Sequence, residues 1–182
     1  MSLEMVEFVV GVEEAFGVRI TNDIAATLFT PRHLVGYLQG QLPQSRESRC
    51  LSQRAFYHIR RALAERVRVP KSVLRPGAEL LTVLPALAAQ NAWAEVGESL
   101  GYPRWPRIYG GSWLARAFQH GRPRTLGEAA RYVSTVTPRA IKPEGEGWSR
   151  VEVATVIDGQ IRRHFGIREY SPDDRFEDLG WS

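Results

Sequence analysis

Residues 2–17 read SLEMVEFVVGVEEAFG, and this stretch decides the fold class. Its apolar side chains recur at the spacing of one helix face, at Leu3, Val6, Val9, Val10 and Phe16. Four glutamates supply the polar face, and Gly17 stands where glycine commonly ends a helix. The pattern predicts an amphipathic helix over residues 3–16.

The rest of the chain carries further helix signals and no segment of useful length with strand periodicity. Thr30 precedes a proline, Thr125 and Glu128 form a capping box, and Ser149 stands before an apolar-periodic run. The predicted helices begin near Thr30, Ser52, Ala86, Thr125 and Ser149, and end near Gly40, Val69, Leu100, Val133 and Phe165. The sequence therefore predicts an all-α fold.

Charge divides the chain into three parts. Residues 1–42 and 146–182 each carry a net charge of −3, whereas residues 43–145 carry +10. Polar, turn-rich linkers are predicted at residues 43–49 and 138–147. A basic middle between acidic ends indicates different partners for the two parts, or mutual attraction between them.

The composition limits the compartment. Cys50 is the single cysteine, so no disulfide can form within the chain, and a reducing compartment is expected. No apolar run approaches the length of a membrane span, and no secretory signal pattern begins the sequence. We therefore expect a cytoplasmic protein with no membrane partner.

An internal repeat links the middle of the chain to its ends. The similar pairs are residues 12–18 with 96–102, residues 30–38 with 125–133, and residues 56–69 with 153–167. The simplest interpretation is one full set of helices in the middle, with half a set on each side.

The two ends resemble the acyl carrier protein family. Residues 2–9 and 13–20, with Thr30-Pro31, are similar to a carrier from its modified serine onward. Residues 151–166 and 171–180 are similar to the part that precedes this serine. Placing Ser182 before Ser2 gives Asp-Leu-Gly-Trp-Ser-Ser-Leu-Glu, close to the family's Asp-Leu-Gly-x-Asp-Ser-Leu-Asp.

The resemblance implies three domains. Residues 1–42 would be the second half of an acyl-carrier-like bundle, and residues 148–182 the first half. Residues 43–147 would be a central, basic, degenerate helical unit, in which Ala86 stands opposite Ser2. The halves could pack as one circularly permuted bundle, or pair between chains in a swapped dimer or array, or the chain could be a piece of a longer tandem array.

The family's chemistry implies a function without catalysis. Ser2 would carry a covalent 4′-phosphopantetheine, added by a phosphopantetheinyl transferase, and this arm would hold acyl groups as thioesters. Partners would be acyl-transfer or synthase enzymes of fatty acid or polyketide biosynthesis, bound through Glu4, Glu7, Glu13 and Glu14. Met1 precedes Ser2 where the family has aspartate, and Ser182 holds the corresponding place at the other end, so Ser182 is a second candidate.

Two other functions remain open. The chain could be an unmodified scaffold or adaptor with a carrier fold. It could also bind nucleic acid, or dock the acidic ends of this chain, through the arginines of the middle helix, which are Arg54, Arg60, Arg61, Arg66 and Arg68.

No group of residues predicts a catalytic or metal site, so we expect no enzyme. The four histidines lie apart from one another and from ligand-spaced carboxylates, and Cys50 has no histidine nearby in sequence. The aromatic residues between 102 and 113 could line an apolar site, but packing of a long loop is favoured; they are Tyr102, Trp105, Tyr109 and Trp113.

Overall fold

The computed structural model describes residues 3–85, 87–108, 122–167 and 169–179. Within these ranges the chain forms nine α-helices and no strand, which confirms the all-α prediction. The helices are α1 (Leu3–Phe16), α2 (Asn22–Ala25), α3 (Pro31–Gln41), α4 (Leu51–Ala62), α5 (Leu80–Val83), α6 (Ala89–Leu100), α7 (Leu126–Val136), α8 (Pro138–Ile141) and α9 (Arg150–Phe165). A π-helical turn, Leu63–Val67, continues α4, and a 3-10 turn spans Phe176–Leu179.

The chain divides into two compact units. Unit 1 combines Met1–Arg49 with Lys142–Ser182, and unit 2 is Cys50–Ile141. Over the part of the chain that the structure describes, no helix is both long and apolar enough to cross a lipid bilayer.

Local sequence signals explain most helix ends. The Thr30 hydroxyl accepts the His33 N–H, and complete capping boxes open α7 and α9 at Thr125 and Ser149. Gly17 adopts a left-handed backbone conformation with φ of 66°, as do the glycines directly after the predicted helix ends at Leu100 and Phe165, with φ of 64° at Gly101 and 68° at Gly166.

The predicted start of α4 is wrong. The helix begins at Leu51, one residue before Ser52, because Cys50 already has the extended backbone of an N-cap residue. Cys50 makes no side-chain capping bond; its Sγ lies 3.2 Å from the Ser52 hydroxyl instead. The helix also changes to a π turn before it ends at Arg68, whose φ is 59°.

Unit 1 is built around α9, which packs against α1 and α3. Phe8 lies at the centre, with its ring centroid 5.4 Å from that of Phe165 and 5.7 Å from that of Phe176. Phe16 packs edge-on against Trp148, with the two ring centroids 4.9 Å apart. Each such buried side chain contributes about 1.5–3 kcal/mol, so these rings hold the unit's helices together.

The predicted apolar face of α1 is only partly correct. Phe16 is buried, but Leu3 is 69% exposed, Val6 42% and Val10 41%. The face that packs is rotated and consists of Phe8, Gly11, Val12, Ala15 and Phe16. The sequence is apolar on several sides of this helix, so periodicity alone does not decide which stripe is buried.

Unit 2 is centred on α4, which packs against α7 and α6. Trp93 of α6 is fully buried, and so are Ile59, Leu126 and Val133. Each of these residues faces inward at helical spacing, so unit 2 has an apolar core of its own.

A short helical turn is held in the same way in both units. In unit 1 the Phe176 N–H donates to the Phe29 carbonyl, at 2.9 Å. In unit 2 the Leu80 N–H donates to the Arg124 carbonyl, at 2.8 Å. Phe29 and Arg124 are each the residue before the threonine N-cap of the following helix.

A second backbone hydrogen bond, next to the first, is also present in both units. The Arg32 N–H donates to the Pro172 carbonyl at 2.9 Å, and the Gly127 N–H donates to the Pro76 carbonyl at 2.7 Å. Arg32 and Gly127 each lie two residues after their N-cap threonine. The similarity of residues 30–38 to 125–133 therefore extends to their backbone contacts within each unit.

Candidate functional site

Both candidate attachment serines lie outside the described residues. The described chain resumes at Leu3, directly after Ser2, and it ends at Leu179, three residues before Ser182. The described residues nearest to the two serines in sequence belong to α1 and to the 3-10 turn.

The four glutamates predicted to bind partners fall into two groups. Glu4, Glu7 and Glu14 are exposed on α1. Glu13 is half-buried, and its Oε1 accepts the Ile20 N–H at 2.6 Å, which ties down the chain after the helix. Glu13 thus has a structural partner within unit 1.

Apolar side chains stand among the exposed glutamates. Leu3, Val6 and Val10 follow one another at helical spacing on the outer side of α1. We call this surface the acidic face; its members are Leu3, Val6, Val10 and Glu7, and Glu4 flanks it in the first turn of the helix. Exposed apolar side chains grouped on one side of a helix can form a protein-binding surface.

An apolar cleft lies on the other side of α1. Nine residues line it, and none has a polar side chain: Met5, Phe8, Val9, Val12, Ile20, Ala25, Leu28, Leu34 and Phe176. Its enclosed volume is about 20 Å³, which is room for one water molecule. Sequence reasoning missed this cleft, because its lining comes from five separate segments of the chain.

An ion pair fixes the segment that leads to the 3-10 turn. The Arg32 guanidinium donates to both carboxylate oxygens of Asp173, with Nη2 2.8 Å from Oδ2. This hydrogen bond holds the pKa of the Asp173 carboxyl below its usual range. Beyond it, the Arg175 guanidinium stacks over the Phe29 ring at 5.3 Å. Both contacts join residues 173–175 to the start of α3.

A buried ion pair closes unit 1 beside α9. The Lys142 Nζ lies 3.0 Å from Oε2 of Glu152, and both side chains are at least 97% buried. Nζ also lies 3.3 Å from Glu146 and 4.8 Å from the centre of the Trp148 ring. A buried cation with this many partners is well compensated.

Glu152 also joins two distant parts of the chain. Its Oε2 accepts the Ser149 N–H at 2.9 Å as part of the capping box, and its Oε1 accepts the Arg49 N–H at 3.2 Å. Next to it, the Trp148 N–H donates to the Pro43 carbonyl at 2.7 Å. Residues 43–49 and 142–148 are therefore held together, although nearly one hundred residues separate them in sequence.

The basic residues of unit 2 are unequally exposed. Arg61, Arg66 and Arg68 are exposed, whereas Arg54 and Arg60 are half-buried, and Arg60 Nη2 donates to the Lys71 carbonyl at 2.9 Å. Tyr57 is 50% exposed, and Arg61 lies four residues after it on the same side of α4. We use the name basic face for the exposed residues Tyr57 and Arg61 of α4 together with the exposed Arg68, which follows the π turn.

A histidine and a tyrosine near these arginines form a hydrogen bond with each other. His58 Nδ1 lies 2.7 Å from the Tyr102 hydroxyl. Burial lowers the pKa of His58, with help from the charges of Arg61 and Arg54, and burial raises the pKa of Tyr102 to about 12. Both groups are therefore neutral near pH 7, and their bond is structural.

The aromatic residues after α6 serve packing where the structure describes them. The Trp93 and Trp105 rings lie 4.5 Å apart. Trp93 Nε1 donates to the Pro106 carbonyl and Trp105 Nε1 to the Trp93 carbonyl, each at 2.7 Å. Tyr109 and Trp113 lie outside the described residues.

The described ranges include possible metal ligands and the single cysteine. They contain no cluster of three or more histidine, cysteine or acidic side chains able to hold a metal ion. The Cys50 thiol is exposed, and the hydrogen bond to Ser52 lowers its pKa.

Comparison with known proteins gives no relative from which a function could be transferred. No protein family, curated protein or solved structure with which the chain was compared matches it.

Proposed function

We propose that unit 1 is an acyl-carrier-like bundle, made from a carrier's two halves in exchanged order. It would hold acyl groups as thioesters of a 4′-phosphopantetheine on Ser2 and present them to acyl-transfer or synthase enzymes. The observation that carries this proposal is the cleft beside the first turns of α1, lined only by apolar side chains. The packing of α9 against α1 and α3 supports the exchanged order.

The residues of unit 1 fit the proposed group in chemistry. An acyl chain gains free energy wherever it replaces water against apolar side chains, at about 25 cal/mol per Å². The enclosed volume of about 20 Å³ is too small for such a chain in the present side-chain arrangement. Met5, half-buried at the lining, is flexible and unbranched, so its movement would enlarge the cleft.

The start of α1 suits a phosphorylated serine. The free N–H groups of a helix's first turn and its partial positive charge favour a phosphodiester there. When bound, phosphopantetheine supplies a long arm that ends in an acyl-bearing thiol. The acidic face lies on the same helix, so a partner enzyme that binds it is brought close to the arm.

Acylation tests the proposal directly. The chain is incubated with a phosphopantetheinyl transferase and acyl-coenzyme A of increasing chain length, and thermal unfolding of the product is compared with that of the unacylated protein. We expect the midpoint to rise with chain length, because the acyl chain fills the cleft. A Val9→Glu variant places a charge in the lining and removes the rise. Failure of the transferase to acylate the protein, or a midpoint independent of chain length, would contradict the proposal.

An unmodified adaptor is the second candidate. The apolar stripe of the acidic face supports it, because this surface could bind a partner without any arm. The adaptor retains full partner binding in a Ser2→Ala variant, whereas a carrier loses acyl delivery. We propose a cytoplasmic location for either function, which the single cysteine supports.

A further inference from the structure

The two units carry opposite net charge. Unit 1 contains ten basic and fifteen acidic residues, and unit 2 contains fourteen basic and five acidic residues. The net charge is therefore −5 for unit 1 and +9 for unit 2. Unit 1 of one molecule and unit 2 of another attract each other over a Debye length of about 8–10 Å in ordinary buffer.

Some of these charges stand beside exposed apolar side chains. On unit 2 the basic face places the half-exposed Tyr57 ring next to Arg61, while the opposite side of α4 is buried in the core. On unit 1 the acidic face places Val6 and Val10 beside Glu7. Each face thus has an apolar centre and charged neighbours, with opposite signs on the two faces.

The acidic face and the basic face are complementary in composition. An aromatic side chain is a frequent anchor of protein interfaces, and an aliphatic stripe provides the surface against which it packs. Arginine around such an anchor pairs well with carboxylates, because its planar guanidinium can bind both oxygens. Nucleic acid would satisfy the arginines but leave the apolar stripe of α1 without a role.

We propose that the acidic face of one copy of this chain binds the basic face of a second copy. The two surfaces differ, so the contact is head-to-tail, and each copy keeps one free face for the next. The protein therefore assembles into open chains or closed rings whose length depends on concentration. The contact needs no phosphopantetheine, so it holds or fails independently of the carrier function.

Charge exchange between the faces tests this arrangement. One variant reverses the acidic face, as Glu4→Arg with Glu7→Arg, and another reverses the basic face, as Arg61→Glu with Arg68→Glu. All four residues are exposed, so neither variant disturbs a core. A control, Arg131→Glu with Arg139→Glu, makes the same change of charge at exposed positions of α7 and α8.

Sedimentation velocity gives the readout. At about 0.01 M salt, where the Debye length is about 30 Å, we expect concentration-dependent association of the wild type and the control. Each reversed variant alone should associate at least about tenfold more weakly, because like charges meet. In an equimolar mixture the two reversed variants should associate with each other and alternate, because both contacts between them are complementary: one is unaltered and the other has its charges exchanged. At about 1 M salt, where the Debye length is about 3 Å, association of the wild type should weaken by about tenfold or more.

Three results would overturn the proposal. The first is a wild type that stays monomeric at every concentration in low salt. The second is association that both reversed variants retain. The third is a mixture of the two reversed variants that forms no mixed assembly. If nucleic acid then shows a salt-sensitive mobility shift that only the basic-face variant loses, the basic face is a nucleic-acid surface. Circular dichroism of each variant establishes that it is folded.

Discussion

The Lys142 ammonium lies 3.0 Å from the Glu152 carboxylate, and both side chains are almost completely shielded from water. Glu152 also accepts backbone N–H groups from Ser149 and Arg49. One carboxylate therefore caps α9, neutralises a buried cation and holds the chain segment that precedes unit 2. Unit 1 depends on this group because it is assembled from two distant parts of the sequence.

Removing the cation should destabilise the protein strongly. We expect Lys142→Met to lower the free energy of unfolding by about 3 kcal/mol or more, because the Glu152 charge stays buried without its main partner. Lys71→Met, at an exposed lysine, is the control and should change it by less than about 0.5 kcal/mol. Chemical denaturation of the full chain measures both.

A second substitution should restore part of this loss. Glu152→Gln in the Lys142→Met background removes the buried charge but keeps an oxygen for the Ser149 N–H. The double variant should therefore be more stable than Lys142→Met alone. A double variant that is less stable would show that the carboxylate matters only as a cap.

Phe176 should be essential to the packing around α1. It is 2% exposed, lines the apolar cleft and contacts Phe8. We expect Phe176→Ala to cost about 3–5 kcal/mol of unfolding free energy, as other buried phenylalanines do. Phe29→Ala is the control: Phe29 is 48% exposed, so its loss should cost about 1 kcal/mol or less. Equal losses in the two variants would mean that the 3-10 turn is not packed against α1.

Gly97 should tolerate no side chain. A Cβ atom there would overlap the Trp105 ring, whose Nε1 donates a hydrogen bond to the Trp93 carbonyl. We expect Gly97→Ala to destabilise unit 2 by about 1–3 kcal/mol, as overpacking usually does. Gly36→Ala, in an open position on α3, should instead stabilise by about 0.5–1 kcal/mol through helix propensity. Thermal unfolding, followed by tryptophan fluorescence, measures the change in stability of both variants. A Gly97→Ala variant that is as stable as the wild type would contradict the stacking of Trp105 on α6.

The Asp173 carboxyl should titrate below its ordinary pKa of 3.8, because Arg32 bonds its charged form. A carboxyl whose pKa is lowered on folding adds stability at pH values above its unfolded pKa, and this stability disappears as pH falls through the folded pKa. We expect an NMR titration to find the lowered pKa in the wild type and a value near 3.8 in Arg32→Gln. An unchanged pKa in the variant would show that the ion pair does not persist in solution.

Sequence reasoning succeeded where the signal is local. Thr125 and Glu128 act through contacts within one helical turn, so their capping box was predicted, and Ser149 was predicted to open a helix. The same holds for Gly101, whose left-handed backbone conformation favours glycine. The capping box that Ser149 forms with Glu152 was not predicted. The four-residue helices α2, α5 and α8 were not predicted, since they are too short to show a helical period.

The rest depends on contacts between distant residues. Which side of α1 is buried follows from what Phe8 meets, namely Phe165 and Phe176, and no local pattern of α1 contains this information. Likewise the Lys142–Glu152 pair joins a linker to a helix, and the cleft draws its lining from several segments. The division of the chain into carrier halves, and the roles of Ser2 and of the glutamates, stay predictions.

Mass spectrometry of the modified chain tests the central claim most directly. The full protein is incubated with a phosphopantetheinyl transferase and coenzyme A, digested, and its peptides are mapped, with Ser2→Ala and Ser182→Ala variants alongside. The carrier account expects the mass of one phosphopantetheine on the peptide that contains Ser2, retained in Ser182→Ala and lost in Ser2→Ala. A wild-type chain that remains unmodified, while a known carrier in the same tube is fully converted, would contradict it.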